Sequence, residues 1–348
     1  MSITFFHMAD IHLDQPFSSL ASVEGFPLKR REEIFIEFLR VLKTAKEEQP
    51  DFIFISGDLY EHEYTKIKNI SRINDAFSNL KGNVILISGN HDPESKNSFY
   101  SSYPWSKNVY ILSRRKPYVV FEKEKTCVYG IGYDTGGGQY KNLETIRTDK
   151  NYTNVLLMHG DVDLNLSTYN AVSSVMLKDI GFDYVAMGHN HRTYIKDRIY
   201  NPGSLCALGF DEEGSHGYFK GDLSTGQIEF IESRSRKYKD IEIEYKNLGK
   251  FKDMYPEIHD IYRIKVTGIK EDNELITTFE EYDYIQIVDR RAAEKKKTVH
   301  STSQGIKSRY RNIMTDKIEN ASLEEIKVYE EALRLGLLAL SDEELDIE

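Results

Sequence analysis

Cysteine is scarce in this chain: Cys127 and Cys206 are the only two among 348 residues, and neither sits in a paired or repeated spacing. That excludes a disulfide framework and a thiolate zinc site as organisers of the fold, and it fits a reducing cytoplasm. No stretch approaches the roughly 18 apolar residues of a membrane span, and the N-terminus lacks a basic region ahead of an apolar run. Neither insertion nor export is expected. Positive charge is also in deficit, with a formal net charge of −10. On its face this opposes a nucleic-acid partner, since phosphate backbones reward basic surfaces. Disorder is excluded from the other side, because 17 Phe and 23 Tyr supply ample material for a core. A single core stops growing at roughly 250 to 300 residues, so one large unit with a smaller accessory unit is expected.

What the chain does have is a repeated pattern: an apolar, β-rich run that stops at residues able to bind metal. Ile3 to Phe6 leads to Asp10-Ile11-His12, Phe52 to Ile55 to Gly57-Asp58, and Val84 to Ile87 to Gly89-Asn90-His91-Asp92. Val155 to Met158 leads to His159-Gly160, and Tyr184 to Met187 to Gly188-His189-Asn190-His191. Such runs read as strands buried on both faces. Helical patterns separate the first three, one from about Lys29 to Glu48 and one carrying Ile67, Ile70, Ile73, Phe77 and Leu80. Strand, helix, strand predicts parallel pairing, and all five polar motifs then fall at the carboxyl ends where α/β sheets gather ligands. Val109 to Gly130 and Ile199 to Tyr245 predict further short strands and a second sheet.

Singly these motifs are weak. Asp10-x-His12 reads as well as a turn carboxylate and a surface histidine, and His159 as a stray loop residue. Together, five strand ends carrying carboxylate, amide oxygen and imidazole form the ligand set of manganese, iron or zinc, with the hard oxygens favouring manganese or magnesium. The predicted metal residues are Asp10, His12, Asp58, Asn90, His159, His189 and His191.

The order Asp-x-His, Gly-Asp, Gly-Asn-His-Asp, His-Gly, Gly-His-x-His resembles the calcineurin-like metallophosphoesterase superfamily, over residues 1 to about 230. The resemblance implies an α/β fold, a four-layer α/β/β/α sandwich with a smaller C-terminal α+β capping domain. It implies two divalent metal ions, manganese first and Mg2+, Fe2+ or Zn2+ as alternatives. One ion takes the positions of Asp10, His12 and His191, the other those of Asn90, His159 and His189, with Asp58 bridging. A bridging carboxylate also suits two dications that repel one another. His91 is placed to protonate the leaving oxygen or to neutralise developing charge. Within the superfamily, Ser56-Gly57-Asp58-Leu59-Tyr60-Glu61 and the Tyr200-Asn201-Pro202-Gly203-Ser204 turn are similar to the SbcD/YhaO-type DNA repair exonucleases. Such enzymes work beside an SbcC-like coiled-coil ABC ATPase. Three residues after the bridging aspartate this chain departs from them, carrying Glu61 where bacterial relatives have aspartate. A carboxylate there still orients His91, so Glu61 joins His91 as a catalytic candidate, and the adjacent His62 reads as a loop residue.

The expected division is a nuclease domain over 1–248, a capping or DNA-contact domain over 249–312 and a C-terminal helical region over 313–348. Between Asp289 and Arg311 eight bases face two acids, so Arg290, Arg291, Lys295, Lys296 and Lys297 are candidates for DNA phosphates, with a solvated linker as the bland alternative. Ser322-Leu323-Glu324-Glu325 reads as a capping box opening a helix whose stripe, Ile326, Tyr329, Leu333, Leu337 and Leu340, packs on its own domain or docks on the ATPase. Gly136-Gly137-Gly138 reads as a flexible turn. The expected activity is metal-dependent cleavage of DNA phosphodiesters, exonucleolytic with endonuclease action left open, in a cytoplasmic protein without membrane contact and with a homodimer left open. The rivals are a phosphodiesterase or phosphatase for small molecules and a non-catalytic scaffold. The scaffold reading is weakened because every ligand position is kept.

Overall fold

A computed structural model describes residues 2–133, 143–164, 167–212, 214–270, 279–293, 306–322 and 325–339. Gly136, Gly137, Gly138, Lys295, Lys296, Lys297 and Leu340 lie outside the described residues.

In chain order the first strands are β1 (Thr4–Met8), β2 (Phe52–Ser56), β3 (Asn83–Ile87), β4 (Val109–Ile111), β5 (Tyr118–Phe121) and β6 (Thr126–Ile131). They are followed by β7 (Thr153–His159), β8 (Tyr184–Gly188), β9 (Tyr194–Lys196), β10 (Ile199–Asn201), β11 (Gly217–Asp222) and β12 (Gln227–Glu232). These form two six-stranded sheets, ordered β12-β11-β1-β2-β3-β4 and β5-β6-β7-β8-β10-β9. β1 to β4 are mutually parallel, as are β6, β7, β8 and β10.

Alternation along each buried strand builds the layers. Phe6, Met8, Ile53 and Ile55 face outward against α1 (Phe26–Glu48) and α2 (Ile67–Ser78), which contribute Ile34, Phe38, Val41, Ile70, Ile73 and Phe77. Phe5, Phe54 and Ile87 face the other way and meet Leu157, Tyr184 and Ala186 of the second sheet. On the far side Leu156, Met158, Val185 and Met187 pack with Leu177 of the helix Ser174–Ile180. The result is the expected α/β/β/α sandwich, and it brings the carboxyl ends of β1, β2, β3, β7 and β8 to one place. Ile67, expected on the apolar face of α2, is the first residue of that helix and is exposed.

Beyond the sandwich lie β13 (Tyr238–Glu244), β14 (Ile261–Thr267), β15 (Ile269–Lys270), β16 (Tyr284–Asp289) and β17 (Ala292–Ala293). β13, β14 and β16 form a parallel three-stranded sheet. It seats on the N-terminal end of α1, where the Tyr284 ring lies 4.7 Å from Phe26 and Arg236 bridges Glu33 and Asp283. A domain boundary at 248 is therefore corrected: it cuts this sheet, because the motifs end there but the strand pairing does not.

The described residues of Ile269–Asn273 and Ala292–Glu348 form a second compact unit. Within it β15 pairs with β17, and the helices Ile306–Glu319 and Ile326–Ala339 pack together, the Tyr310 hydroxyl donating to Ala332 O at 2.7 Å. The boundary at 312 is likewise corrected, since it falls inside the first of these helices; the change of charge sign there does not interrupt the helix. Of the expected capping box one arm forms: Glu325 Oε2 accepts the Ser322 hydroxyl and backbone N–H, at 2.6 and 3.0 Å, while the Glu325 N–H donates to the Ser322 carbonyl and not to its side chain. Among the described residues no helix is long and apolar enough to cross a membrane.

Candidate metal centre

Each of the five motifs leaves its strand in a sharp loop. Asp10, His12, Asp58 and His189 have φ of 49°, 50°, 50° and 97°, a region that costs a side-chain-bearing residue about 1–3 kcal/mol and collects at functional sites. Two glycines make the approach of these loops feasible. A Cβ at Gly57 would lie 2.3 Å from His159 Nδ1, and one at Gly89 would lie 2.1 Å from Asp58 Oδ1. Asp92 organises both loops, its carboxylate accepting backbone N–H groups from Gly89, Asp58, Leu59 and Tyr60 and the Tyr100 hydroxyl.

All seven predicted metal residues converge. Asp10, His12 and His191 place ligand atoms within 4.8 Å of one another, as do Asp10, Asp58 and His159, and His12, Asp58 and His91. Asp58 Oδ2 sits 3.6 Å from His12 Nε2 and 3.4 Å from His159 Nε2, between the two sheets. Asn90 Oδ1 lies 2.9 Å from His159 Nε2 and 3.0 Å from His189 Nδ1.

The hydrogen bonds decide which imidazole nitrogens are free. His12 Nδ1 donates to Glu61 Oε1 at 2.7 Å, His191 Nδ1 to Glu212 Oε1 at 2.6 Å and His159 Nδ1 to the Ser56 carbonyl at 2.8 Å. In the neutral rings each Nε2 is then a bare lone pair. Yet His12 Nε2 and His191 Nε2 face each other at 3.2 Å, and His159 Nε2 faces the Asn90 amide oxygen. Acceptor against acceptor is repulsive unless a cation lies between. Burial pushes the imidazoles of His159 and His191 down, but Asp58 and Asp10 beside the first, and Glu212 and Asp10 beside the second, outweigh it and carry both up to about 9. Protons thus occupy in the free chain what a divalent cation would hold.

His91 stands at the rim. Its Nδ1 donates to Glu61 Oε2 at 3.0 Å, its backbone N–H donates to Asp58 Oδ1 at 2.8 Å, and its side chain is 42% exposed. The bond to Glu61 raises its pKa against partial burial, and Asp58 adds to the rise. Burial opposes ionisation of Glu61, but its bonds to His12 and His91 hold the carboxyl below the usual range.

The structure adds residues that no motif announced. Glu212 orients His191 and is itself held by the Ser204 hydroxyl and the Leu208 N–H. Asp161 Oδ2 lies 3.7 Å from His189 Nε2, and the Tyr169 ring lies over His189 at 4.5 Å. Asp161 directly follows the His159-Gly160 motif, whereas Glu212 and Tyr169 share no short spacing with a ligand motif; the turn ending in Gly203-Ser204 points toward Glu212.

Residues 3–193 match the calcineurin-like phosphoesterase family. The chain belongs to that family. Its members hydrolyse phosphoesters with divalent metal ions, and the donor set above fits such ions. A Bacillus subtilis (strain 168) protein described as "Uncharacterized metallophosphoesterase YhaO" is 25% identical over 244 residues, which are 66% of this chain and 59% of that relative. The chain thus spans less than two thirds of the relative's length. Among solved structures, TT1561 of Thermus thermophilus is similar over 67% of this chain and 99% of its own, at a TM-score of 0.43 and 13% identity.

One predicted contact is corrected. Arg291 does not offer its guanidinium to a phosphate: the side chain is 1% exposed, paired with Asp289 at 2.9 Å and stacked over the Tyr245 ring at 4.5 Å. A basic run in sequence does not show which cations a neighbouring carboxylate and aromatic ring withdraw. Arg290 is exposed.

Proposed function

We propose that this chain is a two-metal phosphodiesterase and that its substrate is DNA. The observation that carries the first half is the convergence of carboxylate, amide and imidazole donors from five strand ends around one shared carboxylate, Asp58, with His12 Nε2 against His191 Nε2 on one side and His159 Nε2 against Asn90 Oδ1 on the other. Asp10, His12 and His191 would hold one ion, Asn90, His159 and His189 the other, and Asp58 both; the hard oxygens favour manganese. Bound there, two divalent cations supply Lewis-acid polarisation of the phosphate and a more acidic attacking water.

The chain's own residues do the rest. Glu61 and Glu212 fix the tautomers of His12 and His191, so that each presents Nε2 to the centre. His91, whose protonated form the bond to Glu61 favours, delivers a proton to the leaving oxygen or offsets its charge. Because His91 is exposed while the residues behind it are buried, the reacting face opens to solvent, as a polymer requires.

DNA is favoured by the likeness of the motifs to SbcD-type exonucleases, by the chain beyond the sandwich, and by Arg290 with Lys295, Lys296 and Lys297. The C-terminal helices, with Val328 and Leu335 exposed, would serve an SbcC-like ATPase. The net charge and the withdrawal of Arg291 favour the rival substrate, a small phosphodiester. Incubation of end-labelled duplex DNA with Mn2+, with bis-p-nitrophenyl phosphate in parallel, separates the two. Shortening of the labelled strand is expected; turnover of the small ester with intact DNA would make the small-molecule reading the right one.

A further inference from the structure

Beneath the centre, between the sheets, lies a histidine that the chemistry does not use. His7 is wholly buried. It follows Phe5 by two residues on β1 and so shares that residue's inward face, while Phe6 and Met8 turn toward the helices. His7 Nδ1 is 2.9 Å from the Tyr184 hydroxyl, and Nε2 is 3.2 Å from the Met187 carbonyl and 3.1 Å from Ser56 Oγ.

These partners admit one arrangement of protons. The Met187 carbonyl only accepts, so Nε2 carries the hydrogen and the Tyr184 hydroxyl donates to the bare Nδ1. Ser56 Oγ donates to Ala186 O at 2.9 Å and therefore accepts from Nε2. Burial pushes the imidazole down to about 3, the bond to Met187 opposing that. The ring is neutral and fully satisfied, which is what a polar group in an apolar layer requires.

Phenylalanine would fill the same space, so the histidine contributes direction rather than volume. Its partners lie close to the ligands. Met187 precedes His189 by two residues, and Ser56 precedes Asp58 by two while its carbonyl fixes His159 Nδ1. The first sheet carries Asp10, His12, Asp58 and Asn90, and the second carries His159, His189 and His191. Apolar packing sets the gap between sheets, but dispersion is non-directional and resists sliding weakly, whereas hydrogen bonds demand alignment.

We propose that His7 is a positioning residue, a neutral strut that fixes the lateral register between the two halves of the metal centre. This rests on the two-metal reading.

The test loads intact wild type, His7→Phe, His7→Gln and Ser56→Ala with Mn2+. It measures stoichiometry and affinity by calorimetry, metal–metal coupling by electron paramagnetic resonance, unfolding of the metal-free proteins, and kcat and KM on bis-p-nitrophenyl phosphate. Wild type is expected to take two coupled ions. His7→Phe should stay folded yet bind the second ion at least about tenfold more weakly, lose the coupled signal, and lose about 30-fold in kcat with KM within about twofold. His7→Gln, whose amide restores a donor toward Met187, should return kcat to within about threefold of wild type. Should His7→Phe fail to fold, Ser56→Ala removes one contact of the strut and should still weaken coupling. A coupled pair and full kcat in His7→Phe, or in Ser56→Ala where only that variant folds, would overturn the strut and leave the two-metal reading intact. Wild type binding a single ion would overturn both.

Discussion

Glu61 Oε2 lies 3.0 Å from His91 Nδ1, while the other oxygen of the same carboxylate lies 2.7 Å from His12 Nδ1. One side chain therefore orients a metal ligand and the group that meets the leaving oxygen. Glu61→Gln keeps the shape and removes the charge. The bond to Glu61 is the main cause raising the His91 pKa, so its loss lowers that pKa and the protonated form disappears at lower pH. The alkaline limb of kcat/KM against pH should move to lower pH, and kcat should fall about 10–100-fold. A limb that stays in place would show that His91 titrates independently of Glu61.

Asp58 and His91 should fail differently. Asp58→Ala removes the carboxylate shared by both halves and should lower occupancy of both metal positions, whereas His91→Asn should leave the ions bound and remove most turnover. Metal analysis of the purified variants beside their kcat distinguishes them. Loss of metal from His91→Asn would make that residue a ligand instead.

The pH dependence of the metal-free chain follows from His159 and His191. Their pKa values rise from 6.5 to about 9 in the fold, so the stability they contribute is fully present below pH 6.5 and is lost as pH rises through about 9. In EDTA the unfolding midpoint should fall across that window. Mn2+ must displace the same protons, so its affinity should rise over the same range with proton release, which calorimetry in buffers of different ionisation enthalpy reads directly. Proton-independent binding between pH 7 and 9 would contradict this assignment.

Much of this was legible beforehand because buried parallel strands announce themselves as apolar runs and the ligands sit at their ends. Asp10, His12, Asp58, Asn90, His159, His189 and His191 all converge as expected. Glu212 was not legible, since it lies 21 residues from His191 in an irregular segment and only the fold brings them together. The three-stranded sheet was legible at β13, inside the strand-rich stretch Ile199 to Tyr245, but its parallel pairing with β14 and β16 depends on crossovers that no local pattern encodes. Arg291 misled because charge in a sequence reads as exposure until its carboxylate and aromatic partners are known.

If the basic run holds DNA, each phosphate contact releases counterions, and affinity should fall with salt at a log-log slope of roughly −0.9 per contact. Lys295→Glu, Lys296→Glu and Lys297→Glu together should weaken binding and flatten the slope by up to about three contacts, while hydrolysis of a small phosphodiester stays unchanged. Unaltered affinity and slope would identify the run as a solvated linker.

On the two-metal reading, the centre works only when loaded with divalent metal. The most direct test is the rate of bis-p-nitrophenyl phosphate hydrolysis during Mn2+ titration of chelator-stripped protein. No turnover is expected in excess EDTA, and activity should appear as two Mn2+ bind per chain; turnover that persists in excess EDTA would contradict metal dependence.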